Sequence, residues 1–379
     1  MNPLRRLAAL GQSVYLDELS RGMLHDGSLQ RLIDEDGIHG VTSNPAIFEK
    51  AIARSDAYDS AIAELARGEQ GPEAVYETLA LEDIGAAADL FAGVHAASRG
   101  AAGYVSLEVS PRLADDTEGT VAEARRLWAQ LGRPNVFIKV PGTAAGLPAI
   151  ERLIADGVNV NVTLLFGLER YTEVTDAYLR GLERRLEAGQ PVAGIASVAS
   201  FFLSRIDVAI DPLLDELADA GGTAAETARR LRGRAAIASA KLAWTRYQDA
   251  FGGARFARLA SAGARPQWLL WASTGTKDPA YPATKYVEPL IGAPTITTLP
   301  RETMDAYRAK GDPAPRLTDD IEGARRDLAT LADLGIDLDA VTEQLEIEGV
   351  EKFVKPFGAL LATLDQALTE HRGLPRTRG

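Results

Sequence analysis

The sequence predicts an α/β protein built as a (β/α)8 TIM barrel with additional helices, and three observations carry that expectation. Eight short apolar runs alternate with amphipathic helical stretches from end to end, as parallel strands joined by helical crossovers require. No fixed-period repeat, low-complexity linker or compositional break divides the chain. Within several of the runs, polar side chains recur at a spacing of two and share one face. A doubly wound open sheet is the weaker alternative.

The expected strands are Ser13–Leu16, Gly40–Thr42, Tyr104–Val109, Val136–Val140, Val158–Leu164, Gly194–Ser200, Gln267–Ala272 and Thr295–Leu299. Helical patterns occupy Glu118–Leu131 and Thr143–Ala155, and a longer helical region fills Pro212 to Ala262. After Pro300 the chain is helical, broken by a proline-rich loop at Gly311–Arg316, with two long segments running to about His371. We therefore expect one barrel domain over residues 1–372, including a C-terminal helical extension, and a disordered tail over 373–379.

Composition removes several classes of function. Hydrophobic residues at 46% and charged residues at 25% match a globular chain, so disordered and fibrous classes are excluded. A formal charge of −12 repels nucleic acid and anionic membrane surfaces, so any phosphorylated partner must meet a local cationic pocket. With no cysteine there is no disulfide, no thiolate catalysis and no sulfur-bound metal. The four histidines, His25, His39, His95 and His371, show no ligand spacing, and neither a metal motif, a G-x-G-x-x-G fingerprint, a Walker A loop nor a G-x-S-x-G elbow occurs. No metal is implied, and dinucleotide and nucleotide-triphosphate mechanisms lose their usual handle. The N-terminus lacks the apolar core of a signal peptide and no run approaches a membrane span, which leads us to expect a cytoplasmic protein; oligomeric state is left open.

The strand faces gather chemistry. In Val136–Val140 the β-branched residues form one face, leaving Phe137 and Lys139 to point along the barrel axis. Val158, Val160, Val162 and Leu164 likewise oppose Asn159, Asn161 and Thr163, while Asp17 lies opposite Val14 and Leu16, and Glu108 opposite Leu107 and Val109. Singly, each has an ordinary explanation: an edge lysine, a helix cap at Asp17, a solvated Glu108, hydroxyls and amides satisfying loops. Together, in one register near strand ends, they resemble the polar interior where barrel enzymes keep catalytic groups. A lysine desolvated there becomes a usable nucleophile toward a carbonyl, and Lys139 fits that role. Asp17 or Glu108 would then take a hydroxyl proton so that a carbon–carbon bond breaks, with the other acting through a water held by Thr163. Two further segments suit an anion: Ser197–Arg205 after the sixth run, and Ser273-Thr274-Gly275-Thr276-Lys277 after the seventh.

With these blocks assembled, the sequence resembles the transaldolases of the longer bacterial branch, from about Val14 to about Leu364. The blocks are Tyr15-Leu16-Asp17, Gly40-Val41-Thr42-Ser43-Asn44-Pro45, Ser106-Leu107-Glu108-Val109-Ser110-Pro111, Ile138-Lys139-Val140-Pro141, the run Asn159 to Phe166, and Ala272 to Lys277. The resemblance implies a barrel of the class I aldolase type. It also implies Lys139 as Schiff-base lysine, Asp17 as acid and base for bond cleavage, and Glu108 as activator of water with Thr163. Asn44 and Asn161 would bind a dihydroxyacetone unit with Ser200 nearby, and Arg205 the phosphate. Shorter relatives place an arginine two residues after the serine of the seventh-strand motif; here Ser273 is followed by Thr274 and Gly275, so Lys277 is expected to take part of that contact. The implied reaction moves a dihydroxyacetone unit from sedoheptulose 7-phosphate to glyceraldehyde 3-phosphate, giving erythrose 4-phosphate and fructose 6-phosphate, without cofactor. Sugar phosphates are the expected partners. Another Schiff-base aldolase on phosphorylated sugars, or an inactive barrel serving as a sugar-phosphate sensor, would share many of these residues.

Overall fold

The computed structural model describes residues 2–53 and 55–373. Eight parallel strands close into one barrel in chain order: β1 (Gln12–Leu16), β2 (Gly40–Val41), β3 (Tyr104–Glu108), β4 (Val136–Pro141), β5 (Val160–Leu165), β6 (Ser197–Phe202), β7 (Trp268–Ala272) and β8 (Thr295–Leu299). The closure is β1 against β8, in register from Gln12 opposite Thr295 to Leu16 opposite Leu299. This is the expected (β/α)8 barrel, and the open-sheet alternative falls with the closure.

Local chemistry explains the elements. In β4 the alternation Val136, Ile138, Val140 turns branched side chains outward to the surrounding helices. The helix Thr117–Leu131 starts at Asp116, whose carboxylate accepts the Gly119 N–H at 2.9 Å, and stops at Gly132, where a φ of 57° suits a residue without Cβ. Inside the barrel the N-terminal half is an aromatic plug. Tyr104 and Phe137 stack with centroids 4.2 Å apart, and Tyr15 passes so close to β2 that a Cβ on Gly40 would lie 2.6 Å from its ring. The polar groups lie above this plug, toward the C-terminal ends of the strands. Glu108 pairs in register with Lys139, and Lys139 with Asn161.

Three expectations change. β6 begins at Ser197 rather than Gly194, so most of the segment Ser197–Arg205 is strand and only Leu203, Ser204 and Arg205 follow it. The helical region after it begins at Ser204 instead of Pro212; the proline sits inside the helix Ser204–Asp219, although proline more often marks a helix start. Leu164 leaves the alternation of β5. The register against β6 shifts between Val162 and Leu165, and Leu164 adopts φ 60°, a bulge that costs about 1–2 kcal/mol in a non-glycine residue. Its side chain packs toward Gly349, where a Cβ would lie 3.1 Å from it.

Gly349 belongs to the C-terminal helix, Leu338–Gly373. Its 36 residues extend about 54 Å at 1.5 Å per residue, and it packs on the helices Pro45–Ala53, Pro72–Ala97 and Ser204–Asp219. It therefore crosses the C-terminal side of the barrel. Gly373 is its last residue, and the rest of the expected tail, residues 374–379, lies outside the described residues.

Candidate active site

The strand ends surround a cavity of about 170 Å³. Asp17, Asn44, Lys139 and Thr163 line one part of it, and Ser200, Arg205, Ser273 and Lys277 another. Glu108 and Asn161 stand just behind the wall: Glu108 against Lys139, Asn161 against Ser200. All ten residues singled out in the sequence are thus brought to one place. Their positions follow from register, since they sit in or shortly after seven of the eight strands, with β5, β6 and β7 each supplying two.

Lys139 is 5% exposed. Its ammonium donates to Glu108 Oε2 at 3.0 Å and to the Ser43 carbonyl at 3.0 Å. Desolvation, expected from the sequence, is therefore only part of its environment, because a carboxylate faces it directly. Burial raises the Glu108 carboxyl above the ordinary glutamate range; Lys139 opposes the shift and Asp17 adds to it. Glu108 Oε1 is buried and has no protein partner. One carboxylate in this constellation is consequently biased toward the form that can donate a proton.

Asp17 continues β1 by donating its N–H to the Leu299 carbonyl, and its Oδ1 accepts from Thr42 Oγ1 at 2.7 Å. Thr42 in turn lies 2.8 Å from Thr298 Oγ1, so a threonine pair from β8 and the loop after β2 fixes the Asp17 carboxylate. Asn44 caps the helix Pro45–Ala53 by accepting the Ile47 N–H at 3.0 Å while lining the cavity. Deeper, Ser200 Oγ donates to Asn161 Oδ1 at 2.7 Å, and Asn161 Nδ2 to Ser106 Oγ at 3.1 Å. This chain fixes the amide of Asn161. Thr163 Oγ1 is buried without a protein partner, directly above it on β5.

The far side of the cavity is cationic. Arg205 lies in the first turn of the helix Ser204–Asp219; its Nη1 is buried without a partner, and its guanidinium stands 5.5 Å from the Phe202 ring centre and 6.0 Å from that of Phe353. Burial pulls its pKa below the ordinary arginine value, with Glu348 and Asp17 opposing the shift. Ser273, at φ 54°, accepts the Ser204 N–H through its carbonyl and lies 2.9 Å hydroxyl to hydroxyl from Ser204, tying β7 to the start of that helix. Lys277 is exposed at the rim. Among the described residues, no cluster of three His, Asp or Glu side chains is placed to hold a metal ion.

Sequence reasoning assigned no role to several contributors, and three of them show why. The Ser43 carbonyl is backbone and carries no side-chain signature. Thr298 is one threonine of a Thr-rich strand whose register only the barrel reveals. Phe353 comes from the C-terminal helix, lies 5.7 Å from the Lys139 ammonium and caps the cavity from outside the barrel; in sequence it is one more apolar position of a helix.

Comparison with known proteins places the chain in a family. A family model described as Transaldolase/Fructose-6-phosphate aldolase matches residues 14–364. The chain is 49% identical over 364 residues to a transaldolase of Thiobacillus denitrificans, covering 96% of this chain and 100% of that one. It is 50% identical over 367 residues to transaldolase 1 of Streptomyces coelicolor (96% and 94% covered), and 44% identical over 369 residues to a transaldolase of Trichodesmium erythraeum (96% and 97%). With a closed barrel, a buried lysine paired with a carboxylate and this likeness over nearly its whole length, the chain is an enzyme, a transferase, and belongs to the transaldolase/fructose-6-phosphate aldolase family.

Proposed function

We propose that this enzyme transfers a dihydroxyacetone unit from sedoheptulose 7-phosphate to glyceraldehyde 3-phosphate through a Schiff base on Lys139, a step of the non-oxidative pentose phosphate pathway, in the cytoplasm. The observation that carries the reading is the buried Lys139 ammonium 3.0 Å from Glu108, at a cavity that Asp17 also lines. The neutral amine attacks the ketose C2, and the carbinolamine loses its oxygen as water with a proton from Glu108, leaving a protonated imine. Asp17 takes the C4 hydroxyl proton. The C3–C4 bond then breaks, its electron pair moves toward the imine nitrogen, and the shortened aldose departs. The three-carbon enamine attacks the acceptor aldehyde, Asp17 returns the proton, and water held by Thr163 and Glu108 hydrolyses the new imine.

Asn44, Asn161 and Ser200 would hold the hydroxyls of the three-carbon unit. Arg205, desolvated and with one nitrogen unpaired, is suited to the phosphate; Ser273 and Lys277 would support it from the β7 loop. The test is borohydride reduction in the presence of fructose 6-phosphate, followed by peptide mass spectrometry. A three-carbon adduct on Lys139 is expected. An adduct elsewhere moves the site, and folded protein that binds the sugar without any adduct would be a sensor. If dihydroxyacetone is released freely and transfer to an added aldose is negligible, the enzyme is an aldolase.

A further inference from the structure

A second cavity, of about 100 Å³, opens behind Glu108, between the end of β3 and the helices Pro72–Ala97 and Thr117–Leu131. Lys139 lines the mouth cavity, Glu108 this one. The Glu108 carboxylate thus stands as the partition: Oε2 is held by Lys139 and Oε1 is buried with no protein partner. Ser110 Oγ, two residues on and also lining the second cavity, is likewise buried and unpartnered. Two such atoms around one space call for water, and the volume is ample against the ~10–15 Å³ a water needs. Glu123, from the facing helix, accepts the Ser110 N–H at 2.6 Å and is itself raised by burial, against the pull of Ser110 and Arg126. At the outer end, exposed Glu73 and the Arg126–Glu77 ion pair lead to solvent.

The geometry points to a water reservoir: the second cavity, which leads to solvent, takes up the water released when the imine forms and supplies a solvent-exchanged one for hydrolysis, and Glu123 is the residue that positions water for Glu108. This inference rests on the Schiff-base reading above. In dehydration the C2–O bond breaks, the C=N bond forms, and the oxygen leaves with a proton from Glu108; hydrolysis reverses each change. One water leaves and one returns per transfer, so the balance closes without another reactant. A sugar phosphate anchored at Arg205 beneath Phe353 fills the mouth, and the open side of Glu108 is the one away from it.

Exchange of 18O from the C2 carbonyl of labelled fructose 6-phosphate, without acceptor, reads this step. Glu123→Gln keeps an acceptor for the Ser110 N–H but loses the carboxylate, and Ala80→Leu places bulk in the cavity. Each is expected to slow exchange by about tenfold at unchanged KM, short of the ~100-fold or more that losing a direct acid or base brings; Glu123→Asp should recover part of the loss. Wild-type exchange in both folded variants, or slowing matched by a raised KM, overturns the proposal; should Ala80→Leu not fold, Glu123→Gln decides alone. Borohydride trapping on the wild type keeps the two readings apart. Without an adduct on Lys139 the Schiff base fails; with one, and with unaltered exchange in the variants, only the reservoir does.

Discussion

In the reaction proposed above Lys139 is the residue on which the chemistry turns, and its contacts separate what charge does from what a nucleophile does. Arginine would keep a cation beside Glu108 and the Ser43 carbonyl but cannot form an imine. Lys139→Arg is therefore expected to abolish turnover and borohydride labelling while the circular dichroism spectrum and thermal midpoint stay close to wild type; full activity would end the mechanism. Arg205 is the complementary case, a desolvated cation with an unpaired nitrogen. A hydrogen bond to a charged group is worth about 1.5–3 kcal/mol, so Arg205→Ala should raise KM for phosphorylated substrates roughly ten- to hundredfold. An unchanged KM would remove Arg205 from the site.

Elements place these residues, and two of them make their demands testable. β2 is two residues long and must let the Tyr15 ring pass, so a methyl group at Gly40 would meet both that ring and the Tyr104 carbonyl oxygen, 2.5 Å away. Gly40→Ala should destabilise by about 1–3 kcal/mol or more, as overpacking does, seen as a lower midpoint in urea. The helix that carries Arg205 is stapled by two aspartates. Asp207 accepts from the Ala236 N–H at 2.8 Å and the Tyr286 hydroxyl at 2.9 Å, and Asp211 from the Gly233 N–H at 2.7 Å and the Tyr281 hydroxyl at 2.6 Å. Burial pushes Asp207 from 3.8 up to about 6, with Asp211 adding and the Ala236 N–H and Lys285 opposing. Because the folded value is raised, the bound proton stabilises the fold fully below pH about 4, and that contribution is lost as pH rises through about 6. Asp207→Asn, which can still accept from Ala236, should flatten the dependence of thermal midpoint on pH between those limits. An unchanged slope would show that Asp207 does not titrate there.

At the scale of the whole molecule, what the sequence revealed and what it hid have separate physical origins. A strand has a period of two, so Phe137 with Lys139, and Asn161 with Thr163, could be assigned to the interior before any pairing was known. Eight such runs were enough for the barrel. Hidden were features that depend on another part of the chain: the Ser43 carbonyl that receives Lys139, the Leu164 bulge that meets Gly349, and Phe353, set by the docking of a helix nearly 200 residues beyond the last interior residues of β5. Pro212 misled for a local reason, since a proline marks a helix start far more often than its third turn. The net charge of −12 likewise speaks only of the far field, whereas Arg205 and Lys277 line the cavity itself and act there at close range.

The closure of β1 on β8 has a consequence for how the protein is made. On the ribosome the first strand emerges with one edge unmatched, and its partner follows after roughly 280 residues, tens of seconds at ~5–20 residues per second. Throughout that interval a row of backbone groups on β1 is open to a stranger's strand. Phe353 arrives later still, so a nascent chain holds Lys139 and both carboxylates long before it has a covered site. A chain cut short before β8 therefore lacks both the strand that closes the barrel and the helix that covers the site, and it leaves the edge of β1 without its partner.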